Sequence, residues 1–80
     1  MNNNIDHPAH YAEGRKYEPI KVINDWDLNF NLGNTIKYIS RAGRKQDFEN
    51  QDQLSKTLED LRKARWYLDY EITRLEEEFI

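Results

Sequence analysis

From Leu54 onward the apolar positions recur at alternating steps of four and three: 54, 58, 61, 65, 68, 72, 75 and 79 read Leu, Leu, Leu, Arg, Leu, Ile, Leu, Phe. This is a heptad seam sustained over about three and a half heptads, and it predicts a long amphipathic helix over about residues 52–79. At 1.5 Å per residue such a helix reaches about 40 Å, longer than a domain of this size is wide. Two shorter periodic stretches precede it. "EPIKVINDW" predicts a helix over about 18–27, with Pro19 in the first turn, where a missing N–H costs nothing, and with Ile20, Ile23 and Trp26 as its stripe. "NTIKYISRAGRK" predicts a second over about 31–45, capped by Asn31 or Asn34, with Leu32, Ile36 and Ile39 on one side and Gly43 as a stop. Residues 1–17 have no sustained period and read as an irregular arm. The expected fold is all-α: one small domain over 1–80 with an arm, two short helices and a long C-terminal helix used for oligomerisation.

Size sharpens that last expectation. A chain of 80 residues buries only about 60–65% of its unfolded surface, so a lone core is marginal and scaffolds of this size need staples. With no cysteine and two histidines, disulfides and thiolate zinc sites are excluded and a structural zinc site is incomplete. The two short helices cannot cover the whole seam, so part of it is expected to meet another subunit. No apolar run approaches the roughly 20 residues of a membrane span. The start "MNNNIDHP" lacks the basic and apolar regions of a signal peptide, so the chain reads as soluble and intracellular.

Net charge is −3, which argues against coating long nucleic acid through bulk charge. The distribution is uneven. Lys37, Arg41, Arg44 and Lys45 stand in a stretch, residues 28–46, that contains no acid in a chain with fifteen. Their spacings of three and four let the side chains converge on one helix face. Surface helices usually mix signs, as Glu59/Lys63 and Lys56/Asp60 do at i,i+4. The patch therefore points to a compact anion, with arginine suited to bidentate phosphate contacts. Gly33 and Asn34, near the start of the same helix, are expected to add backbone N–H groups. The chain has neither a Walker A loop nor a dinucleotide glycine fingerprint.

The segment "DHPAHY" gathers both histidines, His7 and His10, around Pro8 and next to Tyr11. Imidazoles and a phenol donate hydrogen bonds to phosphate, and aromatic rings stack on bases; an arm that satisfies the histidines locally explains the same residues equally well. Arg65 interrupts the seam, where it either sets register or reaches a ligand at an interface. Trp66, Tyr67 and Tyr70 read first as packing surface and secondarily as stacking rings. Glu59, Asp60, Asp69 and Glu71 read most simply as solvated helix charges, with a metal-binding or catalytic carboxylate as the weaker reading.

Taken together, "DHPAHY", "LNFNLGNTIKYISRAGRK" and "LEDLRKARWYLDYEI" resemble the SaV-like family of small bacteriophage proteins, a domain of unknown function, over roughly residues 6–73. A related region occurs in larger phage proteins described as nucleotide kinases that lack a Walker A loop. The resemblance implies a phage origin, the cytoplasm of an infected bacterial host as location, and a nucleotide as ligand. Its motif falls here on His7, Pro8, His10, Tyr11, Gly33, Asn34, Lys37, Tyr38, Arg41, Gly43, Arg44 and Lys45, the constellation that charge and spacing had already marked.

Two functional classes follow. In the first, subunits assemble through the long helix and hold a phosphorylated nucleotide, cyclic or modified, in an interface pocket built from His7, His10, Tyr11, Asn34, Lys37, Arg41, Arg44 and Lys45. Tyr38, Arg65 and Trp66 serve there as stacking or interface residues. Binding alone would be the function, sequestering a host immune signal. In the second, the chain is a minimal nucleotide kinase, since phosphoryl transfer is mostly positioning and charge stabilisation. No catalytic residue, metal or cofactor is identified, and the balance favours binding. An inhibitory adaptor of a host protein ranks last.

Overall fold

The structure, a computed structural model, describes residues 15–43 and 51–79. It contains three helices, α1 (Pro19–Asp25), α2 (Phe30–Arg41) and α3 (Gln51–Glu78), and no strand among the described residues. The expected all-α class and the long terminal helix are both present.

Local chemistry sets each boundary. Pro19 opens α1 behind Glu18, whose carbonyl accepts from the N–H groups of Lys21 and Val22 at 3.0 and 3.1 Å. The helix closes in a Schellman arrangement: the Leu28 N–H reaches the Ile23 carbonyl at 3.0 Å and the Asp27 N–H reaches Asn24 at 3.2 Å. Asp27 occupies the left-handed position of that motif at φ 54°, one that aspartate tolerates better than most residues. The N-cap of α2 is Asn29, whose side-chain oxygen accepts from the Leu32 N–H at 2.9 Å, so neither Asn31 nor Asn34 takes the capping role the sequence suggested. The helix stops at Arg41, short of residue 45, with Ala42 as cap and Gly43 at φ 76°.

Between α2 and α3 the contact is polar. Asn31 reaches Glu71, the Thr35 hydroxyl lies 3.5 Å from the Ala64 carbonyl, and Arg41 approaches Asp60 at 3.9 Å. Residue numbers rise along α2 as their partners fall along α3, so the two helices are antiparallel. The face of α3 that α2 covers is Thr57, Asp60, Ala64, Tyr67 and Glu71, and Ala64, at 4% exposure, is the buried hydrophobic side chain among the described residues. On the far side of α2, Gly33 receives Ile23 of α1: a Cβ at Gly33 would stand 3.2 Å from Ile23 Cγ2. Ile23 is the member of the expected α1 stripe that packs inward, while Ile20 and Trp26 are exposed.

The heptad seam lies one position over from the covered face, rotated by about 100°. Leu54, Leu58, Leu61, Leu68, Ile72 and Leu75 keep 41–46% of their surface exposed, and Phe79 keeps 91%. In antiparallel neighbours a step of one residue turns both helices toward the same side of the pair, because the sense of rotation reverses with direction. The α2 row Leu32, Ile36 and Ile39 therefore turns to the same side as the seam, and Ile39 too is exposed. The opposite side carries Phe30, Asn34, Lys37 and Arg41 from α2 and Glu59, Lys63, Trp66 and Tyr70 from α3. The α2–α3 layer thus has one aliphatic side and one basic, aromatic side. Replacing Asn29 with Ala removes the α2 cap and should lower unfolding stability by about 1–2 kcal/mol, read from urea melts.

Candidate functional site

Tyr38 is the centre of the basic side. Its ring stacks on Tyr67 of α3, with centroids 5.9 Å apart and planes 12° from parallel. Three cationic groups surround the same ring: Lys37 Nζ at 5.0 Å from its centroid, Lys63 Nζ at 5.5 Å and Arg41 Cζ at 5.8 Å. These distances lie within the range over which a ring's quadrupole attracts a cation. Neighbouring acids offset part of the charge, since Lys63 pairs with Glu59 at 3.3 Å and Arg41 approaches Asp60 at 3.9 Å. Lys37 has no carboxylate within ion-pair distance among the described residues.

Beside this cluster the aromatic residues continue along α3. Phe30 meets Tyr67 edge to face at 6.1 Å, Trp66 meets Tyr67 at 5.1 Å, and Trp66 and Tyr70 lie 5.4 Å apart. Phe30, Asn31, Trp66, Tyr67 and Tyr70 line a groove of about 360 Å³, open along one side. Large ring faces beside cationic head groups match what a nucleobase joined to a phosphate presents.

Several expected site residues are distributed differently from the sequence reading. Lys37, Tyr38 and Arg41 come together, and Trp66 lines the adjoining groove. Asn34 is half-buried on the same side, but Gly33 no longer serves as an anion ligand: α2 starts at Phe30, the Gly33 N–H donates to the Asn29 carbonyl at 2.7 Å, and its Cα faces Ile23. Arg65 sits in the aliphatic seam, on the side of the layer away from Tyr38. His7, His10, Tyr11, Arg44 and Lys45 lie outside the described residues, as does Pro8.

Two acids expected to be solvated are buried. Asp60 retains 6% exposure and Glu71 4%. Glu71 accepts from Asn29 Nδ2 at 2.8 Å, from Asn31 Nδ2 at 3.0 Å, and from Arg74 through Nη2 at 2.7 Å and Nε at 3.1 Å. Those four bonds occupy the carboxylate with partners of the same chain. The Arg74 bond first, then those from Asn31 and Asn29, hold its carboxyl well below the usual 4.5, at about 2, against the opposing effect of desolvation. Among the described residues no group of three or more His, Asp or Glu side chains is placed to hold a metal ion, and no helix is long and apolar enough to cross a membrane.

A model of a protein family of unknown function, DUF3310, matches residues 5–69. The chain belongs to that family. No curated protein and no solved structure matches it. The DUF3310 segment takes in Asn29, Lys37, Tyr38, Arg41, Lys63, Trp66 and Tyr67, and ends two residues before Glu71.

Lys63 and Phe30 were not singled out as ligand residues from sequence, and Tyr67 only secondarily, as a stacking ring. The i,i+4 pair with Glu59 made Lys63 look like ordinary helix solvation, and nothing local to α3 reports that it faces Tyr38 across the layer. A signal was present in the spacing of Lys63, Trp66 and Tyr70 along one row of a charged helix.

The Glu71 bonds carry a pH signature. The folded-state pKa lies below the unfolded one, so this stabilisation is complete above about pH 4.5 and is lost as pH falls toward about 2. Urea midpoints measured across that interval should drop steeply for the wild type. Glu71→Gln should be less stable at neutral pH and lose part of the acid-side slope; equal neutral stability and an unchanged slope would contradict the clamp.

Proposed function

We propose that this protein binds a phosphorylated nucleotide on the basic, aromatic side of its α2–α3 layer. The observation that carries the reading is the Tyr38 ring, stacked on Tyr67 and ringed by Lys37, Arg41 and Lys63 within 5.8 Å of its centroid. In this reading Lys37 and Lys63 hold phosphate, Arg41 adds a charge already oriented by Asp60, and the base lies in the groove of Phe30, Trp66 and Tyr70. His7, His10, Tyr11, Arg44 and Lys45, which lie outside the described residues, are the further phosphate ligands that the sequence suggests.

Sequestration is the function best matched to such a site. Donors for phosphate and rings for a base share this side of the layer, while the buried carboxylates are paired with Arg41, Arg74 and the asparagines. The resemblance to small bacteriophage proteins supports a phage origin, action in the cytoplasm of an infected host, and a cyclic or modified signalling nucleotide as the ligand. Phosphoryl transfer remains the alternative activity, and the same titration detects it.

Purified protein incubated with a pool of mono-, di-, tri- and cyclic nucleotides should retain one of them unmodified at a fixed ratio per chain, read by native mass spectrometry. Lys37→Ala combined with Lys63→Ala should weaken that binding by tenfold or more, about 1.4 kcal/mol, while leaving the helical content intact. Trp66→Ala should weaken nucleotide binding but spare binding of inorganic phosphate. Full affinity in the double lysine variant would overturn the reading, and release of nucleotides of altered mass would make the protein an enzyme.

A further inference from the structure

The aliphatic side of the layer takes no part in the nucleotide reading, and its residue order carries information of its own. The seam positions pair off around a common centre: 54 with 79, 58 with 75, 61 with 72, and 65 with 68 all sum to the same number. A second α3 laid antiparallel on the first therefore meets it layer by layer. Leu54 faces the partner's Phe79, Leu58 the partner's Leu75, Leu61 the partner's Ile72, and Arg65 the partner's Leu68, with each contact repeated by the two-fold axis.

Charge favours the antiparallel arrangement over the parallel one. In a parallel pair the two Arg65 side chains would share a layer inside an apolar seam, a like-charge juxtaposition in a desolvated place. In the antiparallel pair Arg65 lies beside the partner's Asp69 instead. On the flank away from α2, Arg62 and the partner's Asp69 come opposite one another, twice by symmetry. Arg62, Arg65 and Asp69 are all exposed in the single chain. The other flank is closed by α2, whose Leu32, Ile36 and Ile39 row turns the same way, so two layers meeting face to face form a four-helix arrangement with an aliphatic centre.

Segments of the same chain make poor substitutes for a second copy. Residues 1–14 hold Met1, Ile5, Ala9, Tyr11 and Ala12 among polar neighbours, and residues 44–50 hold Phe48 alone as a large apolar side chain. Neither matches a row that spans 25 residues, about 38 Å of helix. The occupant whose spacing, length and charge match this surface is the surface itself. We infer that the protein is a homodimer in which the two long helices pack antiparallel through Leu54, Leu58, Leu61, Leu68, Ile72, Leu75 and Phe79, with Arg65 set against the partner's Leu68 and Asp69.

Because the chain contains no cysteine, single thiols report the geometry directly. Sedimentation equilibrium of the full-length protein should give a dimer at micromolar concentration, and Leu68→Lys should shift it to monomer with an unchanged helical circular dichroism spectrum. Leu68 keeps 41% of its surface exposed in the single chain and lies one position from the row that α2 covers, so the circular dichroism spectrum checks that the fold survives the substitution. Leu58→Cys and Leu75→Cys, mixed in equal amounts and joined with a short thiol cross-linker, should give mostly the mixed product. Leu58→Cys alone should give little, because its own copy lies 17 residues along the helix, about 26 Å away. A wild-type monomer at about 100 µM, well above dissociation constants of stable homodimers, would overturn the inference. So would efficient self-cross-linking of Leu58→Cys, which is the mark of a parallel pair.

Discussion

Glu71 is a carboxylate with 4% exposure, one position before Ile72 of the leucine row, and the orientation of both helices follows from its partners. Four donated hydrogen bonds, from Asn29, Asn31 and Arg74, satisfy it. An ionised group out of water is tolerable only when paired and bonded in this way. Asn29 also caps α2 through its side-chain oxygen, so the residue that starts the short helix is the residue that binds it to the long one. At the other end Arg41 approaches Asp60, and between them Thr35 lies over the backbone at Ala64. The contact combines these polar pairs with the small side chain of Ala64 and the rings of Phe30 and Tyr38 against Tyr67, and it holds α2 on the polar row of α3 in preference to the leucine row beside it.

That choice divides the molecule's chemistry. With the polar row covered, the rows on either side are left facing opposite ways. One presents aliphatic side chains at heptad spacing. The other presents Tyr38 with its three cations and the groove that runs from Phe30 to Tyr70. The two proposed functions, assembly and ligand binding, would interfere if they shared a surface, and the proposals place them on opposite sides of a layer two helices wide. A dimer built on the aliphatic side would also add to the small apolar core of a chain whose described residues bury Ala64 and little else.

Much of the helical framework was legible in the sequence because it depends on local rules. Period, Pro19 and Gly43 located the helices, and the residues of the seam were identified one by one. The seam was expected to be covered in part by the short helices and in part by another subunit; in the structure α2 covers the row beside it, which contains Thr57, Asp60 and Glu71 and which no hydropathy pattern marks. The cap was placed at Asn31 or Asn34, two or five residues late, because the three asparagines are equivalent by type; what separates Asn29 is its side-chain oxygen, which accepts from the Leu32 N–H. At the site, spacing suggested that Lys37 and Arg41 converge, and in the structure both lie over the Tyr38 ring. Lys63 escaped because its role depends on which face of α3 meets α2. Arg65 was read as a seam residue that either sets register or reaches a ligand at an interface, and it lies in the seam, on the aliphatic side.

The separation of the two sides is the central claim, and amide chemical shifts of the isotopically labelled full-length protein test it most directly. Titrating the bound nucleotide at constant protein concentration should move resonances of Asn34, Lys37, Tyr38, Lys63 and Trp66. Diluting the ligand-free protein through its association range should instead move Leu58, Leu61, Arg65, Leu68 and Ile72. Two nearly disjoint sets of shifts are the predicted result. A single set responding to both nucleotide and dilution would place ligand and partner on one surface and contradict the account.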